Sequence, residues 1–126
     1  MQQYDHIGPI RNDHLSLYFI ETVAFTRRIN ALGLDPELKA LQELLVASPM
    51  AGATDAGTGG LRKVRLPDPK RGKGKRSGAR VHYLYLAAHD VIYLVFVYGK
   101  DEQDKLTPAQ KKQLKSVADA IKRDWD

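Results

Sequence analysis

Apolar positions recur with two periods along this chain, and the changes of period mark its elements. Residues 1–14 (MQQYDHIGPIRNDH) show neither period and read as a flexible leader ahead of a single domain spanning 15–126. A short apolar run over 15–20, with Tyr18 and Phe19, predicts a first strand. Thr22 can cap a helix over 23–32 whose Phe25, Ile29 and Leu32 share one face. Gly33 stops it, and Asp35-Pro36 is a second start signal. Leu38, Leu41, Leu44 and Leu45 then form the buried stripe of a helix ending near Ala47. Ser48-Pro49 ends that helix, and a run of small residues to Gly60 reads as a loop.

Strand patterns follow. Residues 61–66 alternate, with Lys63 and Arg65 on one face and Val64 on the other. Residues 80–87 alternate as well: Arg80, His82 and Leu84 face one way, and Val81, Tyr83 and Tyr85 the other. The run VIYLVFVY over 91–98 is apolar throughout and predicts a central strand buried on both faces. Tyr83, Tyr85, Tyr93 and Tyr98 fit this pattern as core residues. The clearest helix start lies at Thr107-Pro108-Ala109-Gln110, a capping box with proline at the first helical position. Leu114, Val117, Ala118, Ile121 and Trp125 form its apolar stripe. The predicted order is β-α-α-β-β-β-α, an α+β domain with a mostly antiparallel four-stranded sheet, two N-terminal helices and a C-terminal helix.

Composition narrows the picture. A chain of 126 residues can bury one core unaided, and 43% hydrophobic with 28% charged residues is ordinary for a globular domain. The absence of cysteine excludes disulfides, zinc–thiolate sites and cysteine nucleophiles, and points to a reducing compartment. With no apolar run of membrane-spanning length and no signal-peptide pattern, the reading is a cytoplasmic protein with no membrane partner.

Charge is the feature that bears on function. Between Leu61 and Arg80 there are nine Lys or Arg residues and one acid, Asp68, a local charge of +8. The whole chain carries +5, so everything else sums to −3. A basic patch confined to one unit is the footprint of a protein that meets phosphate. Its cations divide in two. Lys70, Arg71, Lys73, Lys75 and Arg76 sit in a glycine-containing loop, where they form either a solvated turn or an electrostatic clamp on RNA backbone, with Arg62 nearby. Lys63 and Arg65 lie side by side on a strand, and Arg80 joins them if the two strands pair as a hairpin. Three like charges on one sheet face are unfavourable unless an anion sits among them. His82 shares the face of Arg80. His6, His14, His82 and His89 have no metal-ligand spacing, and the glycines at 57, 59 and 60 precede a strand rather than opening a helix, so they read as a flexible loop. No cofactor and no metal is expected.

The run GTGGLRKVRLPDP, continued by GKGKRSGARVHYLY and DVIYLVFVYGKDEQDKLTPAQKKQL, resembles the RelE/ParE superfamily of bacterial toxin–antitoxin toxins, and within it the HigB toxins of the RelE-like branch. The resemblance is specific from Gly57 to about Leu114. It implies a small RelE-like fold and a ribosome-dependent endoribonuclease, an mRNA interferase that halts translation without a metal. Its partners would be the ribosome, mRNA and a cognate antitoxin of the HigA-like, helix-turn-helix kind. The family's basic pair falls on Lys63 and Arg65, its strand arginine on Arg80, and its glycine–lysine lysine on Lys100. A further arginine and a C-terminal tyrosine found in some relatives are replaced here by Asp101 and by Leu106-Thr107. Lys63 as base and His82 as acid or base are both open. The alternatives are a ParE-type toxin that inhibits DNA gyrase without cutting RNA, and a plain RNA-binding module, which would need exposed stacking aromatics.

Overall fold

A computed structural model describes residues 4–11, 16–67 and 78–126. Strand β1 (Tyr4–Arg11) is followed by β2 (Ser16–Thr22), helix α1 (Val23–Ala31), a 3-10 turn (Asp35–Glu37) and α2 (Leu38–Ala47). The two-residue β3 (Ala53–Thr54), β4 (Arg62–Leu66), β5 (Ala79–Leu86), a second 3-10 turn (Ala87–His89), β6 (Val91–Gly99) and α3 (Pro108–Asp124) follow among the described residues. The α+β class and the seven predicted elements are present, and two further strands extend the sheet to six, in the order β1-β2-β6-β5-β4-β3. Among the described residues, strands β2 and β6 run parallel and the other pairings are antiparallel.

The leader expected to be loose contains β1, which pairs with the length of β2 from Tyr4 opposite Thr22 to Arg11 opposite Ser16. Gly8 and Pro9 break its alternation, which is why its pattern is silent. Proline is tolerated because β1 is an edge strand. The rest of the leader, residues 1–3 and 12–14, lies outside the described residues.

Helix ends follow their signals. Thr22 Oγ1 accepts from the Phe25 amide at 3.1 Å and itself donates to the Val95 carbonyl at 2.7 Å, tying the start of α1 to the central strand. Gly33 leaves α1 at φ +68°, the left-handed turn glycine tolerates. At the head of α3, Thr107 Oγ1 accepts from the Gln110 amide at 3.1 Å, while Gln110 Oε1 accepts from the Thr107 amide at 2.9 Å. Thr107→Ala removes half of this box at an exposed helix start, and should cost about 1 kcal/mol in urea unfolding with an unchanged slope.

Two cores sandwich the sheet. Helices α1 and α2 cover one face with Phe25, Ile29, Leu41 and Leu45, against Phe19, Val64, Val81, Tyr83 and Leu94. Helix α3 covers part of the other with Leu114, Ala118 and Ile121, against Leu61, Leu84, Tyr93, Val95 and Tyr98. Strand β6 feeds both cores, as its apolar run predicts. No helix among the described residues is long and apolar enough to cross a membrane.

Candidate functional site

The predicted hairpin forms, and its register sets the site. Across β4 and β5, Arg65 lies opposite Arg80 and Lys63 opposite His82. Across β5 and β6, Arg80 lies opposite Tyr98 and His82 opposite Phe96. Directly opposed residues share a sheet face, so Lys63, Arg65, Arg80, His82 and Tyr98 are contiguous on the face that α3 partly covers. The pairing then slips: His82 meets Phe96 and the next residue, Tyr83, meets Leu94. Val95 is the extra residue, a bulge beside the cationic cluster that re-aims the end of β6.

The cations sit at different depths. Arg65 is exposed, Lys63 is half-buried, and Arg80 retains 7% of its exposure. Burial, and next the charge of Arg65, hold the Arg80 guanidinium below the usual arginine range, against opposing pulls from Tyr98 and Asp104. Two arginines opposed across a ladder repel, as the effect of Arg65 on Arg80 shows, and an anion between them removes the repulsion.

His82 lies deeper still, with no exposure. Its Nε2 is 2.8 Å from Oδ2 of Asp55, whose Oδ1 is 3.3 Å from Nζ of Lys111 on α3. A carboxylate on Nε2 keeps the proton there and leaves Nδ1 with its lone pair. Nδ1 is buried and has no hydrogen-bond partner among the described residues, and the same holds for the Tyr98 hydroxyl. The two rings have their centroids 6.0 Å apart. The strand face expected to present His82 to solvent instead holds its ring sealed beneath the surface in this conformation.

The loop that delivers Asp55 is built, not slack. Thr58 is fully buried; its hydroxyl donates to the Asp55 carbonyl at 2.7 Å and accepts from the Leu61 amide at 3.2 Å. The Asp55 amide donates to the Leu61 carbonyl at 2.8 Å. Gly59, at φ +76°, faces the Ala118 Cβ of α3 at 3.1 Å from where its own Cβ would stand. The glycine run is a tight turn packed under α3, in place of the flexible loop its composition suggested.

Lys100 follows Gly99, which pairs with Ala79, and so stands at the Arg80 end of the sheet. Its ammonium is paired with Asp104. That bond, and secondarily the charge of Lys100, hold the Asp104 carboxyl below the usual range. Arg62 does not join the cluster: it faces the other way, donating to the carbonyls of Met50 at 3.0 Å and Gly52 at 2.9 Å. It anchors the loop before β3. Lys70, Arg71, Lys73, Lys75 and Arg76 lie outside the described residues.

Three members of the site escaped the sequence reading. Lys111 was one of several cations on a helix. Tyr98 lay within an all-apolar run. Asp55 had a signal, being the sole acid between Glu43 and Asp68, but its partner is 27 residues away.

The buried pair predicts a pH dependence. Burial holds His82 below the ordinary imidazole range, with Lys63 and Lys111 adding to it; the Asp55 hydrogen bond pulls upward and is outweighed. A histidine kept neutral in the fold but free to protonate when unfolded gives stability that is full above about pH 6.5 and lost as pH falls. The melting temperature should drop between about pH 7 and pH 5. His82→Leu should flatten the curve in that window, and an equal slope in both proteins would show that His82 is not its source.

No protein-family model matches the chain.

Proposed function

We propose that this protein is a ribosome-dependent mRNA endonuclease that inhibits translation and is neutralised by a cognate antitoxin in the cytoplasm. The observation that carries the reading is the Arg65–Arg80 pair, opposed across β4 and β5 with Lys63 beside it. A sheet face that concentrates cations at a stability cost suits a doubly bonded phosphate better than any apolar partner.

In this reading the RNA 2′-oxygen attacks its own adjacent phosphorus and the 5′-oxygen of the next nucleotide departs. A cyclic phosphate remains on one fragment and a 5′-hydroxyl on the other. Arg65 and Arg80 hold the non-bridging oxygens as negative charge accumulates there, the largest single contribution a metal-free site can make. Lys63, half-buried beside them, supports the same charge, and Lys100 stands at the Arg80 end of the sheet. The ribosome supplies the orientation of the mRNA. Tyr83, Tyr93 and Tyr98 are buried, which weighs against a module that binds RNA by stacking.

Toe-printing in a reconstituted translation system tests the activity. Ribosome-dependent truncation of mRNA is the expected result. Full translation at high protein concentration with intact ribosomes would remove the reading. The partner is a helix-turn-helix antitoxin whose acidic surface is steered to the +8 segment; it should co-elute with the toxin and restore translation.

A further inference from the structure

Two polar atoms on the cationic face find no partner among the described residues: the buried Tyr98 hydroxyl and His82 Nδ1. Each such atom weakens the fold by the cost of stripping it of water. Phenylalanine at 98 would fill the same space without that cost. The two atoms are also complementary: one is a donor, and the other is held as an acceptor because Asp55 takes the proton-bearing Nε2. Both adjoin Arg80, Tyr98 as its cross-strand partner and His82 two residues along its own strand.

We infer that Tyr98 and His82 form the polar floor of the anion site and select a ribonucleotide linkage over a deoxyribonucleotide one. Arg80 takes the phosphate, the Tyr98 hydroxyl donates to one of its oxygens, and His82 Nδ1 accepts from the neighbouring 2′-hydroxyl. DNA lacks that hydroxyl, and 2′-O-methyl RNA cannot donate from it. Asp55 is a positioning residue, acting through the His82 tautomer. The floor opens when the Arg80 guanidinium turns outward to meet the phosphate, a move that also takes it out of its desolvated position. This rests on the reading of the site as one for RNA.

The test is binding by the whole chain to a short single-stranded RNA and to the same sequence as DNA and as 2′-O-methyl RNA. Fluorescence anisotropy serves, with RNA integrity checked after each titration. RNA should bind about tenfold tighter than either analogue, the scale of one hydrogen bond to a buried acceptor. His82→Leu should remove the preference, bringing RNA and DNA to equal affinity. Tyr98→Phe should weaken all three alike, several-fold, while melting no lower than the parent. Equal binding of RNA and DNA by the parent, or a preference that survives His82→Leu, overturns the inference. Should His82→Leu not fold, Tyr98→Phe decides: unchanged binding there overturns the floor. Ribosomal cleavage without a preference for RNA in free binding removes this inference and leaves the proposed function; a preference without cleavage does the reverse.

Discussion

On the proposed nuclease reading, Arg80→Gln should lower ribosome-dependent cleavage by roughly 10² to 10³-fold, the loss expected when one fixed donor to a developing oxyanion is removed. The variant should stay folded. Arg80 is nearly buried, and burial and the charge of Arg65 across the ladder both disfavour its guanidinium, so a neutral side chain of similar length that can still donate relieves both. A melting temperature within a few degrees of the parent is expected, with the activity gone. Ribosome binding should persist, because most of the positive charge of the segment is elsewhere. Arg80→Lys should fall between the two, keeping the charge but losing the planar fork that grips two oxygens. Cleavage within threefold of the parent in Arg80→Gln would mean that the opposed arginines are not the site.

The sequence carried the parts of this site that depend on local rules and missed those that depend on distant pairing. Period-2 alternation placed Lys63 with Arg65 and Arg80 with His82, and hairpin register brought the two pairs together as expected. Capping at Thr22 and Thr107 was equally legible, because each cap is completed within three residues. The edge strand β1 was not, since its evidence is a partner on β2 rather than a pattern of its own. The tyrosines show a subtler failure. Tyr93 and Tyr98 are five apart, so strict alternation sends them to opposite faces; the bulge at Val95 brings both to the α3 side. An all-apolar run cannot announce a bulge, and Tyr98 therefore read as core with no hint that its hydroxyl lies beside Arg80. Asp55 was hidden in the same way, delivered to His82 by a turn whose glycines looked like slack.

That delivery depends on one residue whose replacement should have the largest effect on stability. Gly52 leads into β3 at φ +79°. A Cβ built there would stand 2.0 Å from the Lys63 carbonyl oxygen and 3.0 Å from Val64 Cγ1. The first obstacle is backbone and cannot swing aside. Gly52→Ala therefore adds an unrelieved clash to the strain of a left-handed alanine, together about 3 kcal/mol, or roughly 10 °C in melting temperature for a domain of this size. The relief available is for β3 to move off β4, breaking the pairing of Ala53 with Lys63 and Thr54 with Arg62. Asp55 is the next residue, so its carboxylate would leave His82. Gly60→Ala is the control. Gly60 also has positive φ, at +101°, but a Cβ there meets nothing within 4 Å, so only the backbone strain of about 1–2 kcal/mol remains. The two substitutions should thus differ clearly in thermal melts. Gly52→Ala should also steepen the pH dependence between about pH 5 and 7 that comes from the buried histidine, because the upward pull of Asp55 is lost while burial remains, while Gly60→Ala should leave it unchanged. Matching melting temperatures for the two variants would mean that the close approach of Gly52 to Lys63 does not hold in solution, and with it the geometry that sets Asp55 against His82.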